Sequence, residues 1–386
     1  MKRSILLMLA FVMSISSQAQ EVKYNEQNWE GILASAKEEK KIIFVDCYTD
    51  WCGWCKVMDK ETMTNPNISS ALNGYFIPVK MDMEKGEGIK LAMKYHVTGF
   101  PSFLFLDSNG HYIYHAVGYQ KFEEFQKLLK GVLSGSNNFS APGFSATLNE
   151  NYPNFYVNAF GGNGKRTFPK AEEVSSFLSK QPDMLSEVSW AVFARFGGNE
   201  KQTAFFYQNV DDYRKLYGNT TVNNKLNSLI GDKLNDAIKK KDDKAFADVL
   251  NMIDKFIKED PAGAKIYSSI AYYKAVKNWP KLLDAATLFI NFKGLDNADY
   301  INSMAWDIYE NCTDKNVLNQ AAGWMNTIVN KEPSYAYLDT YAALLYKTGK
   351  TADAAKYATM AIETGKNEGK DVKSTEELLK KMNTKK

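Results

Sequence analysis

Three of the chain's four cysteines fall within nine residues, in the stretch DCYTDWCGWCKVMDKET (46–62). Cys52 and Cys55 are separated by Gly53 and Trp54, with Trp51 just before them. Such a pair could clip a metal, staple the chain or exchange electrons. A static disulfide across two intervening residues closes so short a loop that it restrains almost no chain entropy. A zinc site needs four ligands. The nearest imidazoles, His111 and His115, are four apart on a predicted strand, which separates them by about 13 Å. These are the two weaker readings. The third is a dithiol centre. If a helix starts at about 53, Cys52 lies at its N-terminal end, where unpaired N–H groups and the helix dipole favour a thiolate. Cys55 then lies one turn on, with its Cα about 5–6 Å away, inside the span of a disulfide. An exposed Cys52 would attack and Cys55 would resolve. No metal or other cofactor is expected.

The elements that must hold this pair can be read from periodicity. Trp29, Ile32, Leu33 and Ala36 mark a helix over 28–39. KIIFVDC (41–47) is a short apolar, β-branched run, read as a buried strand. Helical sequence follows over 53–63. Strands are predicted at 75–83, 101–107 and 111–118, with a helix at 87–95 and a closing helix carrying Phe122, Phe125, Leu129 and Val132. The order αβαβαββα makes the first two strands parallel through a helical crossover and the last two a hairpin. Residues 134–165 are rich in Gly, Ser, Asn and Pro and read as a boundary. Their aromatics (Phe139, Phe144, Tyr152, Phe155 and Tyr156) argue against a free tether. From 169 the pattern is almost wholly helical.

Composition narrows the setting. With 48 basic and 45 acidic residues the formal charge is +3. That gives no electrostatic case for nucleic acid or an anionic membrane. The opening MKRSILLMLAFVMSISSQAQ has a basic start, an apolar run and small residues near Ala19. It reads as a secretory leader over 1–19. The apolar run is too short to span a bilayer, so the mature chain is expected to be soluble, non-membrane-spanning and periplasmic. Thiols there tend toward oxidation, yet four cysteines are too few for a disulfide scaffold. Cys47 and Cys312 read as small core residues.

VDCYTDWCGWCK closely resembles the active-site stretch of the thioredoxin family, and VTGFPSFLFLD (97–107) resembles that family's cis-proline strand. The resemblance covers about 22–134. It implies a thioredoxin fold, a central mixed sheet flanked by helices. It makes Cys52 the nucleophile and Cys55 the resolving thiol of a redox-active disulfide. It places Asp46 on the buried acid that moves the Cys55 proton, and Lys80 on the lysine beside it, each expected to favour the other's charged form. Trp51 flanks the site, and Trp54, where reducing relatives usually carry proline, would shape partner choice. Phe100 and a cis Pro101 would border the groove for substrate backbone.

Farther on, the sequence around LYKTGKTADAAKYATMAIE (345–363) resembles a tetratricopeptide repeat, with Ala342, Gly349, Ala354 and Ala361 where small residues let paired helices approach. YINSMAWDIY (300–309) weakly matches YLDTYAALLY (337–346), and 232–258 and 264–292 read as further helix pairs, Pro280 opening a helix. The division expected is a leader (1–19), a thioredoxin-like α/β domain (20–134), a linker (135–168) and an all-α, tetratricopeptide-like helical-hairpin domain (169–386). The expected activity is reduction or exchange of protein disulfides. Reduction would need a membrane-borne electron donor, and the helical domain would hold a protein partner. The competing reading is a tetratricopeptide-type scaffold with a non-catalytic thioredoxin-like module.

Overall fold

The computed structural model describes residues 21–135, 141–145, 147–148, 151–161, 165–294 and 297–384; the expected leader, 1–19, lies outside them. Helix α1 (Trp29–Glu39) begins where the Asn28 side chain accepts the Gly31 N–H, and it buries Trp29, Ile32 and Ala36. Strand β1 (Ile42–Tyr48) is the apolar run, covered on both faces. It pairs parallel with β2 (Phe76–Asp82), Asp46 opposite Lys80. On its other side it pairs antiparallel with β3 (Ser102–Leu106), Cys47 opposite Ser102. Strand β4 (Tyr112–Val117) closes the hairpin, giving the order β2-β1-β3-β4. This is the mixed sheet the sequence implies.

Helix α2 (Gly53–Met58) runs on into a π-helical turn, Asp59–Met63. The sequence reading missed the next element, α3 (Pro66–Tyr75). Its signals are local: Asn65 caps it, Pro66 opens it, and Ile68 and Leu72 are buried one turn apart. Helix α4 (Gly86–Tyr95) sits so close to the end of β2 that a Cβ on Gly88 would lie 2.0 Å from the Asp82 carbonyl oxygen. Helix α5 (Phe122–Leu133) covers a core in which Phe44 packs against Phe76, Phe103, Phe105 and Phe125. Each such ring contributes about 1.5–3 kcal/mol by leaving water.

The chain divides into two compact units between Val222 and Asn223. The first also contains α6 (Asn154–Ala159), α7 (Ala171–Ser179), α8 (Glu187–Phe196), α9 (Glu200–Gln208) and α10 (Val210–Tyr217). Trp190 stacks there with Phe206 and Tyr217. Phe144 lies among Tyr95, Tyr112 and Tyr217, so this ring of the Gly- and Asn-rich stretch is an anchor; Phe139 lies outside the described residues. Tyr156 donates to the Met93 carbonyl at 2.7 Å. The buried Lys94 ammonium pairs with Glu187 and donates to Ser145 Oγ at 2.9 Å.

The remaining helices are α11 (Asn219–Lys240), which crosses the division, α12 (Asp243–Phe256), α13 (Pro261–Ala275), α14 (Trp279–Lys293), α15 (Ala298–Asn311), α16 (Lys315–Lys331), α17 (Tyr335–Lys347), α18 (Thr351–Asn367) and α19 (Lys373–Thr384). Pro280 lies in the first turn of α14. Ala342, Ala354 and Ala361 are fully buried, and Gly349 turns between α17 and α18 at φ +91°. Among the described residues no helix is long and apolar enough to cross a membrane.

Candidate active site

The chain leaves β1 at Tyr48 and turns sharply, the Cys52 N–H donating to the Thr49 carbonyl at 3.0 Å. Cys52 is thereby the cap of α2, and its Sγ accepts the Cys55 N–H at 3.0 Å. The two sulfurs are bonded at 2.08 Å, with Cα atoms 5.3 Å apart. The structure is therefore the oxidised form, and the spacing agrees with the helical expectation. In the reduced form the same N–H would stabilise a Cys52 thiolate. One expectation is corrected. Cys52 is not the exposed member of the pair, since both cysteines are 4% exposed. The turn places the first sulfur against α2, and solvent meets the neighbouring indoles instead.

Trp51 and Trp54 are 64% and 62% exposed. Trp51 meets Phe100 edge-on at 5.8 Å and donates Nε1–H to Glu84 at 2.9 Å. Glu84 in turn pairs with Arg166 at 2.8 Å. Trp54 packs against Tyr119 at 5.5 Å, whose hydroxyl donates to Glu61 at 2.6 Å. The Phe100–Pro101 peptide is cis. Since β3 starts opposite the end of β1, Pro101 leaves the sheet at the same end as Cys52. The Pro101 carbonyl accepts the Gly118 N–H at 2.8 Å.

Below the turn, Lys80 lies 2.9 Å from Asp46 and 2.5 Å from Asp59, and Tyr24 donates to Asp46 at 3.3 Å. The expected mutual effect is present, each group favouring the other's charged form, but burial acts beside it. Burial raises the Asp46 carboxyl above its ordinary range, outweighing Lys80. Burial works to lower Lys80, but Asp46 and Asp59 outweigh it and the ammonium is held more firmly than usual. Asp59 and Tyr24 escaped the sequence reading. Asp59 carried a signal, because it lies four residues after Cys55 on the same helical face. Glu84 and Tyr119 carried none.

The remaining candidates are placed elsewhere. Burial, then Asp46, pushes the Cys47 thiol well up, and burial raises that of Cys312; both side chains are buried. His111 Nδ1 faces Asp107 at 3.1 Å, and His115 faces Ser102. Among the described residues no group of three or more His, Cys, Asp or Glu could hold a metal. A bonded pair at a helix start is an arrangement that can open and close, the chemistry of thiol–disulfide exchange.

A family model described as a thioredoxin-like domain matches residues 30–133. The thiol:disulfide interchange protein DsbD of Colwellia psychrerythraea is 26% identical over 127 residues, covering 31% of this chain and 21% of its own. DsbD of Haemophilus ducreyi is 37% identical over 79 residues, 20% of this chain and 13% of its own. The chain thus spans a small part of these curated relatives. The solution structure of a proposed disulphide-isomerase from Bacteroides thetaiotaomicron is 38% identical, covers 30% of this chain and 97% of its own, and has a TM-score of 0.29.

Proposed function

We propose, on the premise of the thioredoxin-like domain matched at residues 30–133, that the chain is a periplasmic protein-disulfide oxidoreductase that reduces or exchanges disulfides in protein substrates. The observation that carries the reading is the bonded Cys52–Cys55 pair at a helix start, with the Cys55 N–H directed at Cys52 Sγ. In the reducing direction, the Cys52 thiolate attacks one sulfur of a substrate disulfide. The Cys52–substrate bond forms as the substrate bond breaks, and the first substrate thiolate leaves and takes a proton. Cys55 gives its proton to Asp46 and attacks Cys52 Sγ, releasing the second substrate thiolate. The substrate gains two electrons and two protons, and the pair closes. A membrane-borne donor would reopen it. Trp51, Trp54, Phe100 and Pro101 line the approach of the substrate backbone, and Lys80 holds Asp46 in place.

The buried alanines of α17 and α18 and the turn at Gly349 support a tetratricopeptide-like region that selects the partner. Insulin reduction driven by dithiothreitol tests the activity. The chain as it stands should accelerate precipitation of the insulin B chain, and Cys52→Ser should abolish the acceleration. Equal, negligible rates would refute the oxidoreductase and favour the helical region as a binding scaffold.

A further inference from the structure

His115 belongs to neither the dithiol nor a metal site, yet it stands at the end of a directed chain of hydrogen bonds. Its Nε2 lies 3.1 Å from Ser102 Oγ, and Ser102 Oγ–H donates to the Gly99 carbonyl at 2.7 Å. Ser102 is fully buried. Its hydroxyl has one proton, which is spent on Gly99, so Ser102 Oγ can only accept from His115. That fixes the imidazole proton on Nε2. The largely buried ring stays neutral around pH 7, because burial lowers it to about 4. Gly99 and Ser102 bracket Phe100 and Pro101. The Pro101 carbonyl is already held by the Gly118 N–H, and the Phe100 ring meets Trp51. The His115–Ser102–Gly99 chain therefore adds a further tie to a loop whose Phe100 ring meets Trp51, the residue before Cys52.

We propose that His115 is a positioning residue for substrate binding, acting through Ser102 to fix the Gly99–Pro101 loop against which the substrate polypeptide lies. The inference rests on the oxidoreductase reading above and adds a specific side chain behind its binding wall. An apolar residue at 115 would fill the space but supply no donor. The buried Ser102 oxygen would lose its second partner, and the loop would no longer be held in one arrangement. The chemistry at sulfur should be untouched, since the hydrogen bond of the His115 ring runs to Ser102 and not to Cys52 or Cys55.

The test uses the full chain and three variants, His115→Leu, His115→Gln and Ser102→Ala. With insulin as substrate, His115→Leu and Ser102→Ala should each raise KM about fivefold, the scale of one neutral hydrogen bond, and leave kcat within about twofold. Their double variant should be no worse than either alone. His115→Gln, whose amide can reach Ser102 Oγ, should restore KM. Carbamidomethylation of reduced Cys52 by iodoacetamide should proceed at the same rate in all. A fall in kcat at constant KM, or no rescue by glutamine, would overturn the proposal. Nitrogen-15 NMR of the imidazoles supplies a second readout that needs no activity. The resonance lost in His115→Gln should belong to an Nε2–H tautomer, and an Nδ1–H tautomer would overturn the proposal even if His115→Leu fails to fold. Insulin inactivity of the unaltered chain would instead count against the oxidoreductase reading and leave the tautomer to decide this one.

Discussion

Lys80 sits directly across the strand pair from Asp46, its Nζ 2.9 Å from the carboxylate, and shares its charge with Asp59 from the π-helical turn. Asp46 is the buried member, and burial raises its pKa. A carboxyl raised by folding binds its proton more tightly in the native state. Stability then falls as pH rises from the ordinary carboxylate range through the raised value. Asp46→Asn should therefore increase Tm at pH 8, and the gain should vanish near pH 3. The same substitution should slow resolution by Cys55 about tenfold, or ~1.4 kcal/mol of barrier. Calorimetry across pH and single-turnover exchange check the two halves separately.

Cys55→Ala should leave a mixed disulfide between Cys52 and its target, because no second sulfur can displace it. Non-reducing electrophoresis should show a higher-mass adduct that dithiothreitol dissolves. Adding Cys52→Ser to this variant should remove the adduct. An adduct that persists would mean that Cys47 or Cys312 is the reactive thiol.

The Trp51 indole is held by Glu84, which Arg166 holds in turn. Glu84→Leu should free the ring. Exposed pairs contribute ~0–1 kcal/mol, so Tm should barely move. Trp51 emission should change, and the same shift should follow Arg166→Leu at smaller amplitude. Spectra identical to the parent would show that the indole is placed by Phe100 alone.

Lys94 and Glu187 form a buried pair across α4 and α8. Removing one partner strands the other charge, at a cost of about 3–5 kcal/mol. Lys94→Met should therefore lower Tm sharply. Lys94→Met with Glu187→Leu should recover most of the loss, since an apolar replacement of both ends is often close to neutral. Urea unfolding monitored by the Trp190 signal checks both.

Much of the α/β fold was legible because its elements announce themselves locally. IIFVDC has no polar face, and the spacing of Cys52 and Cys55 suits a helix start. Helix α3 was missed because its ten residues carry only a short apolar stripe, and the cap at Asn65 was the better clue. Asp46, Lys80, Cys52 and Cys55 could be named from the motif. Glu84 and Tyr119 could not, because they are held by partners 82 and 58 residues away. Nor does composition reveal that Phe144 and Tyr156 lodge against α4 and β4. Glycine and asparagine around them mark irregular backbone, which can be packed as firmly as a helix.

The sulfur pair is nearly hidden while two indoles beside it stand open. On the proposed function, what a visiting chain would first touch is carbon, and recognition would begin with the release of water from aromatic faces. Encounter of this kind is little screened by electrolyte and weakens on cooling. Binding of insulin at this face should then persist in brine and loosen in the cold.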